Sequence, residues 1–155
     1  MKLNGSCHCQ AVRFTVDAAS PCPYMRCYCS ICRKTAGGGG YAINLGAQRE
    51  TLAIEGEENL AVYRATMPDG HVSSGERNFC RICGSALWLF DPNWPELVHP
   101  HASAIDTDLP VPPESVHIML GSKASWVEPA IHKGDETFDA YPKESLADWH
   151  ARHGI

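Results

Sequence analysis

Nothing in this chain approaches the roughly eighteen consecutive apolar residues of a membrane-spanning helix. The opening stretch, Met1-Lys2-Leu3-Asn4-Gly5-Ser6, has no apolar core of a signal segment. Positive charge is scarce as well. Thirteen Lys and Arg stand against eighteen Asp and Glu, a formal charge of −5, so no nucleic-acid partner is expected. Internal repeats and low-complexity linkers are missing, and 155 residues suit a single domain, 1–155, with a real core. Helical periodicity is nearly absent. Only Lys143 to His150, with Leu146 and Trp149 three apart on one face, reads as a helix. The expected setting is cytoplasmic, where thiols stay reduced.

What the chain does contain is thirteen Gly, eleven Pro and many short apolar runs. That mixture predicts a mainly β, loop-rich fold of small antiparallel sheets with a short C-terminal helix. Ala11 to Val16 alternates, with Val12, Phe14 and Val16 on one face. Tyr24 to Cys27, Tyr41 to Leu45, Leu52 to Glu55, Leu60 to Ala65, Val72 to Phe79 and Val116 to Leu120 are further candidate strands. Turns are expected at Gly56 to Asn59 and at Met67 to Gly70. Ala86 to Phe90 is apolar throughout, as a strand covered on both faces would be. Six prolines between Asp91 and Pro113 exclude regular structure across that whole segment, although His99 to Ile105 can carry a short strand.

Eight cysteines punctuate this frame. In a reducing compartment they suggest metal ligands or redox chemistry, the alternative being a disulfide-bonded secreted domain. Cys80-Arg81-Ile82-Cys83-Gly84 has the form of a zinc knuckle, a tight turn that points two sulfurs at one ion and uses Gly for its positive φ. A thioredoxin-like redox pair would need a βαβ context that is lacking. A knuckle supplies half of a tetrahedral site. Cys7 and Cys9, two apart and so on one side of an extended backbone, are the obvious other half about seventy positions upstream. Closing so long a loop suits a structural metal.

Cys27, Cys29 and Cys32 form a separate triplet, one ligand short of the four that zinc prefers. An open fourth position would take water or an incoming thiolate, and Arg33 and Lys34 beside it could hold substrate carboxylates or simply form a solvated basic pair. Cys22, between Pro21 and Pro23, could complete a second closed site or stand apart as a buried residue. Gly37 to Gly40 is either a flexible connector or a place where backbone passes close to a ligand. His99 and His101 share a strand face and could line the cleft as acid–base groups. His8, between two thiols, should point away from them. Tyr28, Trp88 and Trp126 read as core or cleft wall.

Taken together, Gly5-Ser6-Cys7-His8-Cys9, Cys27-x-Cys29-Ser30-x-Cys32-Arg33-Lys34, Phe79-Cys80-x-x-Cys83-Gly84-Ser85 and the later block Pro113 to Trp126 resemble the glutathione-dependent formaldehyde-activating enzyme family, which includes centromere protein V. The resemblance implies a β-tent fold of small sheets pinned by zinc. It implies a structural zinc on Cys7, Cys9, Cys80 and Cys83, and a catalytic one on Cys27, Cys29 and Cys32. It also implies carbon–sulfur lyase chemistry on a thiol–aldehyde adduct, the joining of formaldehyde and glutathione. Two positions depart from the family pattern: Tyr28 stands where a His is usual, and Ala102-Ser103-Ala104 where a Gly is common. A non-catalytic thiol carrier or interaction module on the same fold is the rival reading. Methionine-sulfoxide reduction on a related fold would need a late reactive cysteine, and none follows Cys83.

Overall fold

Three sheets and two short helices make up the computed structural model, which describes residues Met1–Ile155. The strands are β1 (Lys2–Ser6), β2 (Arg13–Asp17), β3 (Tyr24–Cys27), β4 (Ala42–Asn44), β5 (Ala47–Gln48), β6 (Ala53–Glu55), β7 (Leu60–Tyr63), β8 (Glu76–Cys80), β9 (Ala86–Phe90), β10 (Leu97–Pro100), β11 (Ser115–Ile118) and β12 (Glu136–Thr137). The helices are α1 (Ser30–Ala36) and α2 (Leu146–His153). One sheet has the order β1-β2-β6 and a second β5-β10-β9-β8-β7, and every pairing in both is antiparallel. The third, β12-β11-β3-β4, is mixed: β11 runs parallel to both β3 and β12, while β3 and β4 are antiparallel. The expectation of purely antiparallel sheets therefore fails for the sheet that carries the cysteine triplet.

Alternation drives the first two sheets together. In β2, Phe14 and Val16 face inward, and β1 adds Leu3 and the backbone of Gly5 opposite Phe14. Gly5 has no Cβ because the Phe14 ring and the Ala104 carbonyl occupy that space. That is also why β1 escaped the sequence reading: its second inward position shows no apolar side chain. Phe14 meets Trp88 of β9 edge to face, with centroids 5.0 Å apart. Leu45, Leu87, Val98 and Trp149 complete this core. A smaller cluster holds Cys27, Cys32, Ala42, Val116 and Ile118, with Phe138 packed against it.

Several expected boundaries moved. α1 was not anticipated. It has only seven residues, and its sequence reads as a ligand motif rather than as an amphipathic stripe. The C-terminal helix begins at Leu146 rather than Lys143, because the Ser145 hydroxyl caps it by accepting from the Asp148 N–H at 3.1 Å. The strand expected over His99 to Ile105 stops at Pro100, and Ala102–Ala104 is a 3-10 turn. β8 starts at Glu76, since Val72 belongs to a hairpin bridge with Thr66 around Gly70. Trp88 and Tyr28 are core residues, but Trp126 is 61% exposed.

The turn Glu57–Asn59 joins two distant segments. Asn59 Nδ2 donates to the Ala11 carbonyl at 3.2 Å, and the Arg81 N–H donates to the Asn59 carbonyl at 2.9 Å. Gly56 makes this possible with φ +77°, and a Cβ there would overlap the Ala11 carbonyl oxygen. Gly56→Ala should therefore lower stability by about 2 kcal/mol or more in urea unfolding. Gly70→Ala, also at positive φ but with nothing near its Cβ, should lose less.

Candidate functional site

The cysteines fall into the two groups that their spacing suggested. The sulfurs of Cys7, Cys9, Cys80 and Cys83 all lie within 4.8 Å of one another. Cys7 follows β1, Cys80 ends β8, and the knuckle turn is closed by the Gly84 N–H donating to the Cys80 carbonyl at 2.8 Å with Gly84 at φ +76°. The Cys7–Cys9 and Cys9–Cys80 sulfur separations are 3.6 and 3.8 Å. Those are not disulfides, which measure about 2.05 Å. They match the edge of a tetrahedron with metal–sulfur bonds of 2.3 Å, which is about 3.8 Å. The donor set fits a four-coordinate ion.

Backbone N–H groups support these sulfurs, as at Val12, whose N–H donates to Cys7 Sγ at 3.3 Å. The Ser85 hydroxyl, 3.2 Å away, leads in pulling Cys83 down to about 5. Cys9 is pushed up to about 12: the Ala11 N–H opposes the rise, and burial and the other three sulfurs impose it. Four thiolates at this spacing repel, so full deprotonation calls for a cation at their centre.

Cys27, Cys29 and Cys32 form the second group, again with all sulfurs within 4.8 Å. Cys27 ends β3, Cys29 caps α1, and the Cys32 N–H donates to Cys29 Sγ at 3.3 Å. Cys27 and Cys32 are buried, and Cys29 is half-buried. Hydrogen bonds from the Cys27 and Cys32 sulfurs draw Cys29 down to about 2, while Cys27 is driven up first by its bond with Cys29. Cys22 joins neither group. It packs in the main core with Trp149, burial raises its pKa, and its carbonyl accepts from His150 Nε2 at 2.7 Å.

Arg33 lies one turn beyond Cys29, half-buried, with an Nε that has no partner. Lys34 is exposed. Sequence reasoning missed two neighbours. Arg77 of β8 exerts its positive charge on Cys32, and Tyr141, although 72% exposed, is raised by partial desolvation and then by the charges of Cys27, Cys29 and Cys32. Neither stands in a motif, so only the packing of the second sheet and the C-terminal segment against the triplet exposes them.

His8 is exposed. The His101 side chain is 3% exposed, with Nδ1 3.0 Å from Asn44 Oδ1, and His99 Nδ1 is 3.2 Å from the Leu45 carbonyl. Burial lowers both, His101 to about 4, and each Nδ1 is taken up by an internal oxygen. Gly37 and Gly40 make close approaches to Tyr41 and Val127, whereas Gly38 and Gly39 face open space. A groove of about 390 Å³ runs between Asn4, Arg13, Glu55 and Asp106, but it contains no sulfur and is separate from both groups.

Comparison with known proteins agrees with this arrangement. The family model described as glutathione-dependent formaldehyde-activating enzyme matches residues 2–123. A protein of Halomonas elongata is 61% identical over 155 residues, covering 100% of this chain and 98% of its own length; its name is "Putative glutathione-dependent formaldehyde-activating enzyme". A crystal structure of a Rhodobacter sphaeroides protein aligns with a TM-score of 0.55 and 29% identity over 71% of this chain and 92% of that one. The chain belongs to the glutathione-dependent formaldehyde-activating enzyme family.

A buried histidine held neutral stabilises the fold fully above its unfolded pKa near 6.5, and that stability is lost as pH falls toward 4. Unfolding free energy should drop between pH 7 and pH 5 by on the order of 1–2 kcal/mol more in the wild type than in His101→Gln. Parallel denaturation curves at the two pH values measure the difference.

Proposed function

We propose that this protein is a zinc-dependent carbon–sulfur lyase that joins a small thiol such as glutathione to an aldehyde and reverses the reaction. The observation that carries this reading is the incompleteness of the second sulfur group: three converging thiols with Cys22 excluded. Cys7, Cys9, Cys80 and Cys83 would hold a structural zinc, and Cys27, Cys29 and Cys32 a reactive one. The fold would then be a β-tent, with 1–155 acting as one unit. A reducing compartment such as the cytoplasm would keep all seven thiols available.

Zinc, when bound, lowers the pKa of a thiol ligand and polarises a carbonyl. The chain's own residues set the stage for that chemistry. The buried Cys27 and Cys32 keep bulk water from one side of the trio, while half-buried Cys29 leaves the other side approachable. Arg77 brings positive charge toward Cys32, and Arg33, one turn beyond Cys29, has an unpartnered Nε; both would favour an anionic substrate. In the forward direction a sulfur–carbon bond forms, the carbonyl π pair moves to oxygen, and the thiol proton ends on that oxygen. Cleavage of the adduct returns thiol and aldehyde.

Metal analysis of reduced protein should find two ions per chain, and Cys32→Ala should leave one. Glutathione binding by calorimetry and formation of aldehyde–thiol adduct should both fall at least about 100-fold in Cys32→Ala. Indifference of both measurements would sink the enzymatic reading. Glutathione binding without turnover in the wild type would favour the carrier.

A further inference from the structure

A buried polar chain starts between two of the three clustered thiols. Tyr28, flanked by Cys27 and Cys29, is fully buried, and its hydroxyl lies 2.9 Å from His117 Nδ1. His117 is also fully buried, and its Nε2 lies 3.1 Å from Asp135 Oδ2. The Asp135 side chain, 5% exposed, accepts in addition from the Ser115 N–H at 2.8 Å and the His132 N–H at 2.9 Å. With three donors on the carboxylate, the His117 proton belongs on Nε2. Nδ1 is then free to accept from the Tyr28 O–H, and every member is satisfied.

The same chain ties two walls together. On one side the Tyr28 N–H donates to the Ile118 carbonyl at 3.0 Å, fixing the peptide between the ligand pair to β11. On the other, Asp135 opens a strap that continues through β12. The Phe138 N–H donates to the His117 carbonyl at 2.8 Å, and the Met119 N–H to the Ala140 carbonyl at 2.9 Å. Phe138 packs against the cluster that contains Cys27 and Cys32. A hydrophobic residue at position 28 would fill the space without burying a hydroxyl, an imidazole and a carboxylate. A network this deep, one residue from two ligands, has the arrangement of an outer shell that orients metal ligands.

We propose that Asp135, His117 and Tyr28 form a positioning relay that presets the Cys27–Cys29–Cys32 cluster for its ion and links the floor of that site on β3 to the 132–141 strap beside it. This rests on reading the triplet as a metal centre. The Tyr28 side chain anchors the Cys27–Cys29 backbone from behind, so the two flanking sulfurs keep a common direction. None of the three touches substrate, and all act through the ligands.

The test uses the full chain, reconstituted with Co²⁺ or Zn²⁺ under reducing conditions and titrated with a chromophoric chelator that resolves the two sites. The wild type should hold two ions. Tyr28→Phe and Asp135→Asn should each weaken the three-thiol site about 10-fold and shift its sulfur-to-cobalt charge-transfer absorption, while the four-thiol site is unaltered. The double variant should lose little beyond either single one, because both break one chain. An unchanged three-thiol affinity and cobalt spectrum in folded Tyr28→Phe, with only a lower Tm, would overturn the relay. Tyr28→Phe keeps the ring and its packing, so it decides the matter even where Asp135→Asn does not fold. A wild type holding one ion would instead overturn the metal reading of the triplet itself, and the relay with it.

Discussion

The convergence of Cys7 and Cys9 with Cys80 and Cys83 closes a loop of more than seventy residues, and the first two sheets meet there. Cys7 leaves β1 and Cys80 ends β8, so the sulfurs join the β1-β2-β6 sheet to the five-stranded sheet where neither contributes a strand to the other. Hydrogen bonds from the Glu57–Asn59 turn brace the junction by touching both Ala11 and Arg81. A loop of this length is entropically expensive to close with weak contacts alone. A four-sulfur centre of tetrahedral dimensions is the physical answer, and it leaves the remaining three thiols under a different constraint.

Those three sit on the mixed sheet and the short helix α1, supported by Ile118 and Val116 rather than by the main core. The two groups sit in different surroundings. Sulfurs that hold the sheets together alternate between buried and exposed, with turn N–H groups around them. For the triplet, Arg77 acts on Cys32, and the hydrogen bonds from Asp135 through His117 end on Tyr28, between Cys27 and Cys29. A distortion of the triplet can thus be absorbed without loosening the junction.

Both sulfur groups were legible in the sequence because ligand spacing is local: two apart on a strand, three apart on a turn. Phe14 and Val16 were legible for the same reason, a period of two. What escaped depended on partners far along the chain. β1 hid behind Gly5, whose missing side chain is replaced by the Phe14 ring. The partners of His99 and His101 were not legible either, because a shared strand face says nothing about Asn44 and the Leu45 carbonyl, which take up their ring nitrogens. Arg77, Tyr141 and Asp135 carry no motif, and His117 lies in the Pro113 to Trp126 block without a partner legible there. α1 is shorter than the periods by which helices are recognised.

The parallel pairing of β3 with β11, Tyr24 beside Ser115 and Cys27 beside Ile118, sets an order of events during synthesis. An N-terminal half emerging alone can gather its four-sulfur junction once Cys83 is out, yet β3 must wait for a strand some ninety positions later. Until then the triplet sits on an unprotected strand edge, reduced but unshaped. Non-local contacts of this kind form late and slowly. The newborn protein would thus gather its four-sulfur junction before the three-thiol cluster takes its final shape on the mixed sheet.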